Sequence, residues 1–329
     1  MDRRRLLALL GIVAAALAAG AASGQTGKRR IGFLSGADAN PAVQRNAIDP
    51  FRQTLRELGH VEGQNLDIHY RWADGRAARL PGLVEELLAL KADLILAFGP
   101  GPALTAKKAT ATTPILAIAV DNPVEMGLVA DFARPGGNIT GISSFSSELV
   151  AKRLELLKGL VPTIRRAAVL MNPATIVSRD DFERLLAGFE KTLGISIVLV
   201  DARGPEQFDD AFDTMVRDRA GGVLVLADSA FWVHRGRLHE LVAKHRLPSV
   251  WGHRDYLEGG GLASYQSDFP TMFRRAAAMA DRILKGAKPA DTPFEQATKL
   301  DLAINLKAAE AMGIVVPRSL LLAADHVIR

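Results

Sequence analysis

The chain has 329 residues, 48% hydrophobic and 23% charged, enough to bury one large core or two ordinary ones, with the charge density of a folded protein. It has no cysteine, which excludes disulfides, a thiolate nucleophile and any cysteine-ligated zinc site. The formal charge is +5, but residues 1–24 hold a net +2 of it, and no basic block interleaved with aromatics remains, so nucleic acid is not expected as a partner.

The first segment reads as an export signal. Met1–Arg5 is basic, Leu6–Ala19 is apolar, and Gly20–Gly24 supplies small residues for cleavage before Gln25. The apolar run falls short of the roughly 20 residues that a spanning helix needs. A soluble exported protein, with no membrane insertion after signal removal, is the expectation for residues 25–329.

A strand at Ile31–Leu34 ends in Ser35-Gly36, and a helix over about Ala42–Leu58 stops at Gly59. Strands Leu66–Trp72, Asp93–Phe98 and Pro114–Val120 then alternate with helices Ala77–Leu90 and Ala103–Ala109. Short apolar runs without alternation, separated by helices, predict a parallel sheet covered on both faces with right-handed crossovers. After a strand at Ile139–Ser143 the pattern repeats. Helices Glu148–Gly159, Arg179–Leu193, Pro205–Arg219 and Val233–His245 alternate with strands Ala167–Met171, Ser196–Val200, Gly222–Leu226 and Pro248–Trp251.

The tail breaks this alternation. It reads as a strand Leu262–Tyr265, a helix Pro270–Lys285, extended segments Phe294–Thr298 and Asp301–Ile304, and short helices Leu306–Met312 and Pro317–Asp325. A tail that begins no new repeat is expected to complete the earlier units. The expected fold class is therefore α/β, with two doubly wound, Rossmann-like lobes of parallel strands joined by a multi-strand hinge. The first lobe would hold 25–142 plus about 266–291, the second 143–265 plus about 292–329. One continuous sheet is the alternative.

Motifs for catalysis and cofactors fall short. Gly99-Pro100-Gly101 follows a strand as a dinucleotide fingerprint would, but position 104 is Leu104, and Pro100 and Pro102 remove two backbone donors. No phosphate-loop lysine exists, so no cofactor is expected. In Gly141-Ile142-Ser143-Ser144-Phe145, a phenylalanine stands where a hydrolase elbow needs glycine. His239-Glu240 begins a zinc-protease motif, but Ala243 replaces the second histidine, so no metal site follows. No catalytic residue emerges.

What remains is a set of strand-end residues, where open α/β sheets bind ligands. They are Ser35, Pro100, Asp121, Asn122, Ser143, Ser144, Asn172, Asp228, Tyr256 and Tyr265. Each also has an ordinary reading. Asp121, Asn172 and Asp228 suit turns and helix caps, Ser143 or Ser144 suits the cap of the next helix, and Tyr265 suits a core. Together they would line both walls of one cleft.

Several stretches resemble a known family: IGFLSG at 31, LRELGHVEGQNLDIHYRWADG at 55, ALTAKKATATTPI at 103, DNPVEMGLVADFARPGGNITGIS at 121, KRLELLKGLVP at 152, YLEGGGLASY at 256 and LKGAKPADTPFEQATKLDLAINLKAAEAMGI at 284. On these the chain resembles the ABC-transporter substrate-binding proteins of the tryptophan/tyrosine type, within the type I periplasmic-binding-protein fold. The resemblance implies a periplasmic monomer that encloses a small molecule between two lobes. It would deliver that ligand to an ABC permease with a separate cytoplasmic ATPase. Many relatives carry Gly-Thr-Pro where this chain has Gly99-Pro100-Gly101, which removes a hydroxyl. Asp121 or Asp228 would pair with a ligand amine, loop N–H groups and serines would hold a carboxylate, and Tyr256 and Tyr265 would stack on an aromatic body. An aromatic amino acid or related aromatic acid is the expected ligand. A periplasmic sensor domain and an exported α/β hydrolase acting through Ser143 are the two other readings.

Overall fold

The computed structural model describes residues 27–144, 146–175 and 178–329. The expected signal segment lies outside the described residues. Among those residues no helix is long and apolar enough to cross a membrane.

The first sheet is built from β1 (Arg29–Ser35), β2 (Leu66–Trp72), β3 (Leu94–Phe98), β4 (Ile115–Val120) and β5 (Ile139–Ser143). With β11 (Glu295–Gln296) its order is β11-β5-β4-β3-β1-β2, parallel throughout. The run of Leu94 to Ala97 is buried on both faces because helices cover both. Leu94 and Leu96 share a cluster with Phe51 and Leu55 of α1 (Asp49–Glu57), while Ile95 and Ala97 face Val84 and Leu87 of α2 (Leu80–Ala89). That two-sided burial is why the strands show no polar alternation.

The second sheet contains β6 (Arg166–Met171), β7 (Ser196–Asp201), β8 (Val223–Val225), β9 (Ser249–Trp251), β10 (Ala263–Ser267), β12 (Leu300–Asn305) and β13 (His326–Ile328). Its order is β13-β12-β10-β9-β8-β6-β7, and only the β10–β12 pair is antiparallel. Two separate sheets replace the single continuous one held as the alternative.

Three connections pass between the sheets. The chain leaves β5 at Ser143 for α4 (Ser146–Leu160), which packs on β9 and β10. It returns after Ser267 into α9 (Phe269–Leu284), whose face lies on α1 and β4. It leaves again after Gln296 to form β12. The segment returns to the second lobe later than the expected residue 292, because Glu295 and Gln296 still pair with Ile142 and Ser143. The crossings are laced together. Ser267 Oγ donates to Ser144 O at 3.0 Å, Ala297 N to Ser143 O at 2.9 Å, and Asp268 N to Lys299 O at 2.9 Å.

Several elements differ from expectation for identifiable reasons. Helix α3 (Pro100–Ala109) begins at Pro100, not Ala103, because prolines in a first turn lose only amides that have no intrahelical partner. The predicted Val233–His245 helix is two, α7 (Ser229–Val233) and α8 (Arg235–His245), broken at His234. The segment before α1 carries a π-helical turn, Gln44–Ile48, closed by the Asp49 N–H bonding Gln44 O. In β4 the register shifts between Ile118 and Val120, and Ala119 takes a φ of 57°, a left-handed strain at a strand end. Gly141 is required beside it: a Cβ there would overlap the Ala117 carbonyl, so only glycine lets β5 approach β4.

Candidate ligand-binding cleft

Both sheets point the carboxyl ends of their parallel strands at one cavity of about 320 Å³. That volume lies near the lower end of the roughly 300–1,000 Å³ found for small-molecule pockets, too small for an oligomeric ligand. The first lobe contributes Ser35–Ala37 after β1, Asn46 on the π-turn, Phe98–Pro102 around the start of α3, and Ala119 and Asp121 after the β4 bulge. The second lobe contributes Asn172 after β6, Asp228 and Trp232 around α7, His253, Asp255 and Tyr256 after β9, and Arg153 from α4. Gln266, Ser267 and Phe269 line it from the hinge.

The walls are mainly apolar and aromatic. Trp232 stands perpendicular to Tyr256 at 5.3 Å and to His253 at 4.9 Å, and Tyr256 stacks on Trp251 at 4.7 Å. Phe98 meets Phe269 edge-on at 5.6 Å. Such ring contacts fix the shape of an apolar slot.

Charges of both signs are set into it. Asp228 caps α7, accepting the Ala230 N–H at 2.8 Å and the Phe231 N–H at 3.3 Å, while Asn172 Nδ2 donates to its other oxygen at 3.1 Å. Burial raises its pKa, and these three donors only partly oppose that. Arg153 is 2% exposed and donates from Nε to Tyr265 O at 2.7 Å. Burial lowers its pKa to about 10, opposed by the charge of Asp121, so it stays cationic at neutral pH. Burial also lowers the His253 imidazole to about 4 and pushes the Tyr256 hydroxyl well above its usual range.

The lobes are closed over this space. Asn46 Nδ2 of the first lobe donates to Asp255 Oδ2 of the second at 2.7 Å, and both side chains are buried. Beside them Arg45 and Glu258 sit 3.7 Å apart on the surface. Gly36 and Gly75 of the first lobe lie against Ser229 and Ala230 of α7, so close that a Cβ on Gly36 would stand 2.5 Å from Ser229 Oγ.

The profile of the family described as ABC transporter substrate binding protein matches residues 40–328. The chain belongs to that family. Among relatives of this substrate-binding protein, a tyrosine-binding protein from Clostridioides difficile (strain R20291) is 24% identical over 264 residues, covering 80% of this chain and 75% of the other. Two solved structures are similar at 25% identity, each over 92% of this chain and 100% of the other. One is a conserved domain protein from Vibrio cholerae, with a TM-score of 0.84. The other is an ABC domain in complex with L-Trp from Streptococcus pneumoniae, with a TM-score of 0.83. The fold is that of the type I periplasmic binding proteins.

Of the ten strand-end candidates, seven line the cavity of this substrate-binding protein: Ser35, Pro100, Asp121, Ser144, Asn172, Asp228 and Tyr256. The other three do not. Asn122 turns its Oδ1 to the amides of Val124 and Glu125 at 3.1 and 3.3 Å, the turn-capping role open to any Asn before a proline. Ser143 is fully buried and donates its hydroxyl to the Asp121 carbonyl, so it holds the hinge strand and faces no substrate space. Tyr265 is partly buried and packs against the second-lobe core, while the next two residues, Gln266 and Ser267, line the cleft. Asn46, Arg153, Trp232, His253 and Asp255 line the cavity without having been singled out from the sequence. Trp232 had one available signal: it lies one turn beyond the helix-capping Asp228.

Proposed function

We propose that the protein is a periplasmic, monomeric, non-catalytic carrier for an aromatic amino acid or related aromatic acid, handing it to an ABC permease driven by a separate ATPase. The observation that carries this reading is the closed inter-lobe cavity, with aromatic rings from both lobes and charges of both signs in its wall. An α-amino acid with a ring side chain needs an acceptor for its ammonium, a donor for its carboxylate and a flat apolar slot. Asp121, Asp228 and Asp255 set carboxylates in the cavity wall, and Arg153 is the buried cation there. The tyrosine and tryptophan named for two of the similar proteins support the same class. Capture follows from closure: only the closed form offers both walls at once, so ligand shifts the equilibrium towards it.

A thermal-shift screen against amino acids, aromatic acids, nucleosides and sugars tests this. Ligand that binds only the folded state raises the midpoint. A rise with tryptophan, tyrosine or phenylalanine, without consumption of the compound, is the expected result. A rise confined to sugars or nucleosides, or turnover of the compound, overturns the reading.

A further inference from the structure

His253 stands directly after β9 and begins the turn Arg254–Gly259, where its Nδ1 accepts the Asp255 N–H at 3.2 Å. A ring nitrogen that accepts an amide hydrogen carries none itself, so the proton of the neutral imidazole sits on Nε2. The ring cannot easily turn over. Trp232 holds it edge-on at 4.9 Å and Phe269 lies against it at 4.8 Å. His253 lines the cavity, and among the described residues its Nε2 makes no hydrogen bond to protein. A fixed N–H donor is thus set at the wall of a mostly apolar cavity, where it can meet an acceptor on a bound ligand.

Its surroundings favour an anion. Burial keeps the ring neutral, and the charges of Arg254, Arg153 and Arg235 act in the same direction, against the pull of Asp255. Arg153 lines the same cavity, and its Nε is pinned to the Tyr265 carbonyl on the hinge strand. Asp121 brings a carboxylate to the same cavity from the first lobe. The ammonium and carboxylate of an α-amino acid share one carbon, so a donor pair beside an acceptor is the arrangement that head group requires.

We propose that the Nε2–H of His253, backed by Arg153, holds the ligand carboxylate and makes the cavity selective for carboxylates over the corresponding amines. The proposal rests on the aromatic amino-acid reading. His253 is a specificity residue in it, distinct from its service as the cap of its own turn.

The test is calorimetric titration of L-tyrosine and tyramine, which lacks only the carboxylate, into the wild-type protein and into His253→Asn. Asparagine retains a capping oxygen but cannot reach as far as Nε2. Wild type should bind L-tyrosine at least tenfold more tightly than tyramine, and His253→Asn should erase most of that ratio by weakening L-tyrosine alone. Equal wild-type affinities for the two compounds overturn the proposal without any variant. A folded His253→Asn protein that keeps the wild-type ratio overturns it as well. Either outcome leaves the aromatic reading standing, whereas no binding of L-tyrosine, L-tryptophan or L-phenylalanine by wild type removes that reading and this proposal together.

Discussion

Asn46 Nδ2 lies 2.7 Å from Asp255 Oδ2, a hydrogen bond between residues 209 positions apart that joins the two lobes over the cavity. Asn46 reaches it from a π-helical turn, a local widening that recurs at functional sites. The bond exists only while the lobes are closed, so it contributes to closure and not to the stability of either lobe alone. A hydrogen bond to a charged group contributes roughly 1.5–3 kcal/mol, and removing the donor leaves a buried carboxylate unpaired. Asn46→Ala should therefore weaken ligand binding about tenfold or more, measured by calorimetry, with little change in the melting temperature of the ligand-free protein.

The seam between Gly36 and Ser229 predicts a steric counterpart. A methyl group at position 36 would lie 2.5 Å from Ser229 Oγ and 3.1 Å from its Cβ. Gly36→Ala should hinder closure and lower affinity several-fold. Adding Ser229→Ala removes the nearer atom and should restore most of the loss, a coupling that a double-mutant cycle measures. Independent, additive losses would mean that the two residues do not meet in the bound form.

The lowered pKa of His253 predicts a pH dependence of stability. The unfolded imidazole takes up a proton near 6.5 and the folded one only near 4, so the unfolded state binds more protons in between. The stability linked to this residue is complete above about 6.5 and is lost as pH falls towards 4, at up to about 1.4 kcal/mol per pH unit. Denaturant unfolding at several pH values should show this slope in wild type and a shallower one in His253→Asn.

Two residues separate cleft from scaffold. Asn122 caps a turn and Tyr265 packs in the second-lobe core. Asn122→Ala should cost about 1 kcal/mol of stability, by analogy with lost caps, and leave affinity unchanged. Tyr265→Phe should leave ligand affinity unaltered. A large affinity loss in either would place that residue in the binding surface.

The sequence carried the sheets more clearly than the cleft. Stretches such as Leu94–Phe98 and Ile115–Val120 are apolar on both faces, and only a sheet covered on both sides explains that. Asp228 and Asn172 were visible as strand-end residues, and they meet at 3.1 Å because their strands β8 and β6 are neighbours. Tyr265 was misplaced because the phase of a strand with mixed faces is not set locally: Gln266, one residue on, faces the cleft. Asn46 and Asp255 left no local trace, since what brings them together at the cavity is a contact across the two lobes. His253 shows the same limit. One histidine after one strand becomes informative only with Trp232 and Phe269 around it and its Nδ1 committed to Asp255.

A cavity that encloses one aromatic amino acid should show it in calorimetric titration of the wild-type protein with L-tryptophan, L-tyrosine, L-phenylalanine and L-leucine. Saturable binding of one molecule per chain is expected for at least one of the three aromatic amino acids, well above any affinity for leucine. Binding of leucine as tight as that of every aromatic, or no heat with any of the four, would contradict it.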